Sequence, residues 1–300
     1  MLKHFQKCIA LLLLTACTYA TAAVSVVDDA GKQVSLPSPA KRIISLAPHI
    51  TELLFAAGAG PYVVGVSQYS DFPAQARALP MVGGSNAFDI EKIISLKPDL
   101  AVVWRSGNSA ERVAKLRSAG IAIFESEPRD FANIATNLEK LSRLSGTEQT
   151  GYAAADEFRK KLKELKLKYQ HQPPVRVFYQ IWRSPIMTLN GKHMVSEALR
   201  VCGGENVFGW LPSLAPTIGA EAVLEANPEV IIAANGGKID MLSFWRRFPQ
   251  LDAVRRDNLF TVDADWMNRA GPRILNGTEL ICSQLVQARK KRASVSQVNP

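Results

Sequence analysis

The stretch EKIISLKPDLAVV, Glu91 to Val103, returns as EAVLEANPEVIIA, Glu221 to Ala233, and the two align without a gap. Each begins with a glutamate, has two apolar residues after one intervening position, passes three spacers to a proline followed by an acid, and ends in an apolar run. A residue before proline is driven out of the helical region, so each copy reads as a helix stopped at its proline. The apolar run that follows is too continuous for a half-exposed strand and fits one buried on both faces of a parallel sheet. The pair therefore reads as one half of an α/β unit present twice, and duplication explains matching Glu and Pro positions better than chance recurrence of a common joint.

The surrounding chain has the same grammar. RIISLAP, VVGVS, LAVVW and IAIFES alternate with amphipathic segments that start near Thr51, run to Leu96, start near Ser109 and start at Phe131. Strands interleaved with helices predict a parallel α/β sheet. After LAVVWRSGN, Asn108 followed by Glu111 resembles a capping box that opens the next helix. From Thr147 to Gln170 the texture changes to TEQTGYAAADEFRKKLKELKLKYQ, a long charged helix with no strand of its own, and HQPPVRVFYQIW then starts a second series. The expected fold class is α/β, two pseudo-symmetric lobes with parallel sheets at 24–146 and 171–292, bridged by one long helix at 147–170, with a polar tail at 293–300.

Composition agrees with a packed chain. It has 300 residues, 47% hydrophobic and 21% charged, which excludes disorder for most of it. The opening MLKHFQKCIALLLLTACTYATAAV combines Lys3 and Lys7, a short apolar stretch and small residues before Val24, the plan of a secretory signal peptide over 1–23 that is too short to span a bilayer. ATAA allows cleavage after Ala22 or Ala23, whereas LTAC resembles a lipobox ending at Cys17. Ordinary cleavage is favoured because the strand-like VSVVDDAGKQVSL, with a turn at DDAG, begins at once after Ala23. Of the four cysteines only Cys202 and Cys282 lie beyond the leader, and in an oxidising compartment the simplest expectation is that they pair. Lys3 and Lys7 leave with the leader and Arg289 to Arg292 form a basic run near the end. Without those six charges the formal +9 falls to about +3, which does not call for nucleic acid.

Two lobes make a cleft, and ligands of open α/β sheets collect beyond the carboxyl ends of strands. The residues just after the strands are His49, Tyr69, Trp104 with Arg105, Trp182 with Arg183, Asn235, and DADWMNRAGPR from Asp263. Aromatic rings with a few polar groups suit a large, flat, partly apolar ligand. Core packing is the ordinary reading for a ring beside a strand, so Tyr69 and Trp104 stay open at this point, while Asp265, Trp266 and Arg269 fit a core less well.

SLAPHITELLFAAGA, VVGVSQYSDFP, IEKIISLKPDLAVVWRSGNSAER, VCGGENVFG and DADWMNRAGPRI together resemble the periplasmic vitamin B12-binding proteins, within the helical-backbone class of ABC-transporter solute-binding proteins. The resemblance covers essentially the whole chain after the leader. It implies a monomeric periplasmic receptor, not an enzyme, that takes cobalamin or a related corrinoid between its lobes as ligand, with no cofactor, and hands it to an inner-membrane ABC transporter permease dimer. The family's ligand contacts fall on Tyr69, Trp104, Met187 and on Asp265, Trp266, Met267, Asn268 and Arg269. Its transporter-docking acids fall on Glu91 and Glu221, and its disulfide on Cys202 and Cys282. Ser85 and Ala215 stand where the pattern presents tryptophans, so two stacking surfaces are absent unless Trp182 or Trp210 replaces them. Haem or a ferric siderophore is the alternative ligand.

His49 is the sharpest single residue, since a neutral imidazole ligates transition metals, although a hydrogen-bonded loop histidine is the plainer reading. Beyond the leader His49, His171 and His193 are scattered, unlike the clustered ligands of a receptor for free metal ions. No G-x-S-x-G elbow, P-loop, G-x-G-x-x-G fingerprint or H-E-x-x-H helix appears, which favours a binding protein over an enzyme.

Overall fold

In the computed structural model, residues 23–235 and 240–298 are described, the side chains of 295–298 excepted. All but the last residue of the expected leader, with Cys17, lies outside them. The chain opens with an antiparallel hairpin, β1 (Val24–Val27) and β2 (Gln33–Leu36), turned at DDAG where Asp28 Oδ1 accepts from the backbone of Ala30 and Lys32. There follow β3 (Ile43–Ser45), α1 (Pro48–Ala56), β4 (Val63–Val66), α2 (Ile90–Ser95), β5 (Leu100–Trp104), α3 (Ala110–Ser118), β6 (Ala122–Ser126) and α4 (Phe131–Ser145). The long helix is α5 (Glu148–Tyr169). After it come β7 (Val175–Gln180), α6 (Met194–Val201), β8 (Gly204–Asn206), α7 (Ala220–Ala226), β9 (Val230–Asn235), α8 (Asp252–Arg255), β10 (Leu259–Asp263), α9 (Ala264–Asn268) and α10 (Ile274–Val298).

The strand orders are β4-β3-β5-β6 and β8-β7-β9-β10, both wholly parallel. In each sheet the first strand lies between the second and third, so the two lobes share one topology, and the quoted repeat supplies the equivalent elements, α2 with β5 and α7 with β9. Alternation along these strands divides the core. Ile43, Val102, Val177, Tyr179 and Ile232 face a continuous interior that runs through α4, α5, α6 and α10, whereas Ile44, Ala101 and Val103 face α2 and α3, and Phe178, Ile231 and Ala233 face the outer cover of the second lobe. Burial on both faces is why the runs read as continuously apolar.

Three expectations need correcting. The cap of α3 is Ser109, whose side chain accepts from Arg112 N, and not Asn108. Helix α1 starts at Pro48, ahead of Thr51, because proline at the first helical position needs no N–H partner. The segment from 293 is helical as far as Val298, as a continuation of α10, and the basic run before it is not a solvated end. Arg289 donates to the carbonyls of Pro173, Cys202 and Gly203, Arg292 to Pro174 O and Glu229, and Lys291 to Asp257. These side chains fasten α10 to the start of the second lobe. Cys202 and Cys282 are bonded across a separation of 80 residues, which adds about 4.5 kcal/mol in the chain-entropy account by tying α6 to α10.

The bridging helix is seated by a close approach. A Cβ at Gly151 of α5 would lie 2.2 Å from Ser142 Cβ and 2.9 Å from Leu138 O of α4. Alanine is intrinsically better in a helix by about 1 kcal/mol, but forcing two packed helices apart costs more. Gly151→Ala is expected to lower unfolding free energy by about 1–3 kcal/mol in urea titration, and a stabilised variant would show that α4 and α5 separate freely.

Candidate functional site

The side chains expected at the cleft lie at or just after the carboxyl ends of β3, β4, β5 and of β7, β9, β10. On the first lobe a buried hydroxyl chain sets the geometry: Ser45 Oγ and Thr51 Oγ1 are 2.7 Å apart, Thr51 Oγ1 donates to Ser70 Oγ at 2.9 Å, and Ser67 meets Ser70 at 3.2 Å. It pins the turn after β4, in which Tyr69 adopts φ 66°, a left-handed conformation uncommon outside glycine. Tyr69 is 72% exposed, so the core reading does not apply to it. Trp104, half-buried at the end of β5, lies edge-on to His49 with centroids 5.5 Å apart. Its indole covers Gly107, where a Cβ would stand 1.9 Å from the ring, so only glycine permits this pose.

Asn108 holds that arrangement together. Its Oδ1 accepts from Trp104 N at 2.6 Å, and its Nδ2 donates to Leu46 O at 3.0 Å and to Ser85 O at 2.6 Å, joining the ends of β3 and β5 to the loop before α2. Sequence reading spent this residue on a helix cap. An asparagine followed by a serine offers two cap candidates, and the four-residue spacing from a strand-terminal tryptophan was the available hint.

On the second lobe, the fully buried Trp245 donates through Nε1 to Gln180 Oε1 at 2.7 Å, and Gln180 Nε2 donates to Trp182 O at 3.0 Å. The core thereby fixes the turn from Trp182 to Met187, which bridge one another, while Met187 also bridges Thr217. Trp182 is 56% exposed and Met187 half-buried. Both line a cavity of about 410 Å³ together with Leu214, Ala215 and Asn268. Trp210 is more exposed still and is not among the residues lining that cavity. Asp265 and Trp266 of α9 are half-buried, whereas Met267 packs into the core against Gly277 and does not face the cleft.

Arg269 is placed differently from a free polar anchor. Its guanidinium meets Asp71 at 2.7 Å, Asp265 at 3.0 Å and Glu52 at 3.1 Å, and Arg273 adds a second pair to Glu52 with Nε at 2.9 Å from Oε2. Arg273 also covers the Phe72 ring at 4.0 Å. Glu52 and Asp71 belong to the first lobe and the arginines to the second, so the cluster is a clamp between lobes. Glu52, only 1% exposed at its side chain, was missed in the sequence, although an acid inside the apolar helix ITELLFAA is the pattern of a buried charge awaiting a partner. Partial burial opposes ionisation of Asp71, but the Arg269 guanidinium holds its carboxyl below the ordinary value.

His49 is almost wholly buried, with 6% of its surface exposed. Its Nε2 is buried and makes no hydrogen bond among the described residues, and burial, assisted by the Arg269 charge, pushes its pKa down to about 4. Glu91 and Glu221 are both exposed, each the second residue of its helix. A helix in an α/β unit runs antiparallel to its strand, so these first turns sit at the cleft end of each lobe. Arg105 and Arg183 are exposed at the ends of β5 and β7 and Asn235 ends β9 beside Asp263.

Residues 43–266 match the family described as periplasmic binding protein. The vitamin B12-binding protein of Vibrio cholerae serotype O1 is 41% identical over 261 residues, 85% of this chain and 92% of that one. That of Photorhabdus laumondii is 38% identical over 253 residues, 84% and 90%. The crystal structure of the periplasmic vitamin B12-binding protein of Vibrio cholerae superposes with a TM-score of 0.77, covering 84% of this chain and 99% of that one. A periplasmic haem-binding protein of Vibrio cholerae, 19% identical, shares the fold with a TM-score of 0.72 over 81% and 98%.

The buried histidines give the site a pH signature. His49 and His193 both have pKa values lowered to about 4 from an unfolded value of about 6.5. Above pH 6.5 both states are neutral and nothing is gained or lost. Between 6.5 and 4 the unfolded chain takes up protons that the folded one refuses, so stability falls, and the depressed Asp71 carboxyl adds a further loss at lower pH. Going from pH 7.5 to 4.5, His49→Gln should lose about 2 kcal/mol less than the wild type in urea titrations; equal losses would show that His49 is already charged or hydrated in the fold.

Proposed function

Because this chain belongs to the periplasmic binding protein family, we propose that it is an extracytoplasmic receptor that captures vitamin B12 or a related corrinoid between its lobes and delivers it to an inner-membrane ABC importer. The observation that supports this most is the 41% identity extending over 92% of a vitamin B12-binding protein. The cleft chemistry points the same way. Tyr69, Trp104, Trp182 and Trp266 present rings from both lobes at strand ends, and a flat macrocycle gains from such surfaces by stacking and area burial. Met187 and Asn268 contribute from the second lobe, Arg269 through the carboxylates it orients, and Met267 through packing beneath α9. The leader is proposed to be cleaved near Ala23, releasing a monomer into the periplasm. Binding without turnover is the expected behaviour.

Calorimetric titration with cyanocobalamin, haem and a ferric siderophore tests the reading directly. Cyanocobalamin should bind at one per chain, and tight binding of haem alone would replace the corrinoid. Trp104→Ala and Trp266→Ala should each weaken corrinoid binding by about 1–3 kcal/mol while the fold persists. Unchanged affinity in both would move the site elsewhere.

Glu91 and Glu221 support the transporter half of the proposal. Duplicated lobes put an exposed acid at the same place in each, as a two-fold permease with one basic pocket per subunit would require. Reversing both to lysine is expected to abolish uptake in cells while leaving corrinoid affinity of the purified protein intact. Wild-type uptake by the double variant would end the docking assignment.

A further inference from the structure

His193 caps α6, and its Nδ1 accepts from Val195 N at 3.1 Å. A backbone N–H can only donate, so Nδ1 carries the lone pair and the ring proton of the neutral imidazole is on Nε2. Burial pushes the pKa of this ring down to about 4, which keeps it neutral at ordinary pH. No hydrogen bond is formed by Nε2 among the described residues. The ring lines the cavity of about 410 Å³ in the second lobe together with Trp182, Met187, Leu189, Leu214 and Asn268, and no charged side chain is in the lining. The site is thus a largely apolar recess in which His193 offers a neutral donor of fixed tautomer alongside the Asn268 amide. A phosphate or carboxylate entering it would be desolvated without a cation to meet it, whereas an uncharged acceptor loses little and gains the bond.

We infer that this recess receives an uncharged amide arm of the bound corrinoid, with His193 Nε2–H donating to the amide carbonyl, so that His193 is a specificity-determining residue. The inference rests on the corrinoid reading above. It assigns His193 two separable tasks, capping α6 through Nδ1 and recognising ligand through Nε2. Serine is a good helix cap but cannot reach the recess, while glutamine places an amide N–H near the position of Nε2 and is a poor cap.

Cyanocobalamin titrations of wild type, His193→Ser and His193→Gln, with a thermal melt of each, separate the two. His193→Ser should melt close to wild type and bind about tenfold more weakly, and His193→Gln should melt lower and bind within about threefold of wild type. Among cyanocobalamin derivatives in which one peripheral amide is hydrolysed to the acid, at least one should bind wild type about tenfold more weakly or worse. Undiminished affinity in His193→Ser, equal losses in both variants, or no discrimination against any mono-acid would each overturn the inference while leaving corrinoid binding by the wild type intact. Failure of the wild type to bind cyanocobalamin at all would instead overturn the functional reading on which it rests.

Discussion

Glu52 brings its carboxylate into the junction between the lobes, where it is almost without solvent and is held by Arg269 and Arg273. Removing one partner from a buried ion pair costs about 3–5 kcal/mol, far more than a surface pair is worth. Any motion that draws Arg269 and Arg273 away from α1 would have to strand this charge. The clamp therefore opposes wide opening from one side, while α5, seated on α4 at Gly151, opposes it from the other. The relation of the two sheets is fixed at both ends of the junction, and the aromatic side chains at the strand ends inherit a preset spacing. Preset spacing matters because ordering long side chains and lobes on binding would consume part of the affinity that stacking supplies.

The parts of this fold that were legible are those governed by local rules. The proline stops and continuous apolar runs of Glu91–Val103 and Glu221–Ala233 report burial on both faces of a sheet, and equal strand order in the two lobes follows from their repetition. Strand ends point to cleft positions by topology alone, without knowledge of any contact. What stayed illegible depends on pairings between distant residues. Glu52 and Arg269 are 217 residues apart, and nothing in either neighbourhood names the other. Arg289 and Arg292 read as a solvated run because a basic cluster near a terminus usually is one, and only the carbonyls at the start of the second lobe change its meaning.

Asn108 shows how a local rule can mislead. A polar residue ahead of a helix satisfies the orphaned amides there, and either Asn108 or Ser109 could do so. Ser109 takes the cap, which frees Asn108 to use all three of its hydrogen bonds on the backbone around Trp104. A buried amide with both donors and its oxygen bonded makes a rigid junction, and one unmet group would cost about 1–3 kcal/mol. The pose of Trp104 is set by that junction, by the edge of His49 and by the missing side chain at Gly107.

The acids of this chain divide according to whether duplication reaches them. Glu91 and Glu221 occupy the same helical position in both lobes, remain exposed and form no ion pair among the described residues. Glu52 sits in α1, and its carboxylate is spent on two arginines that only the second lobe provides. A symmetric pair of free charges can address something outside the molecule that has the same symmetry, because each lobe offers the same feature in the same setting. A single buried charge can address only the other lobe. The duplicated unit thus supplies what faces outward in pairs, and residues outside it, the Glu52 clamp and Asn108 among them, make the two lobes inequivalent.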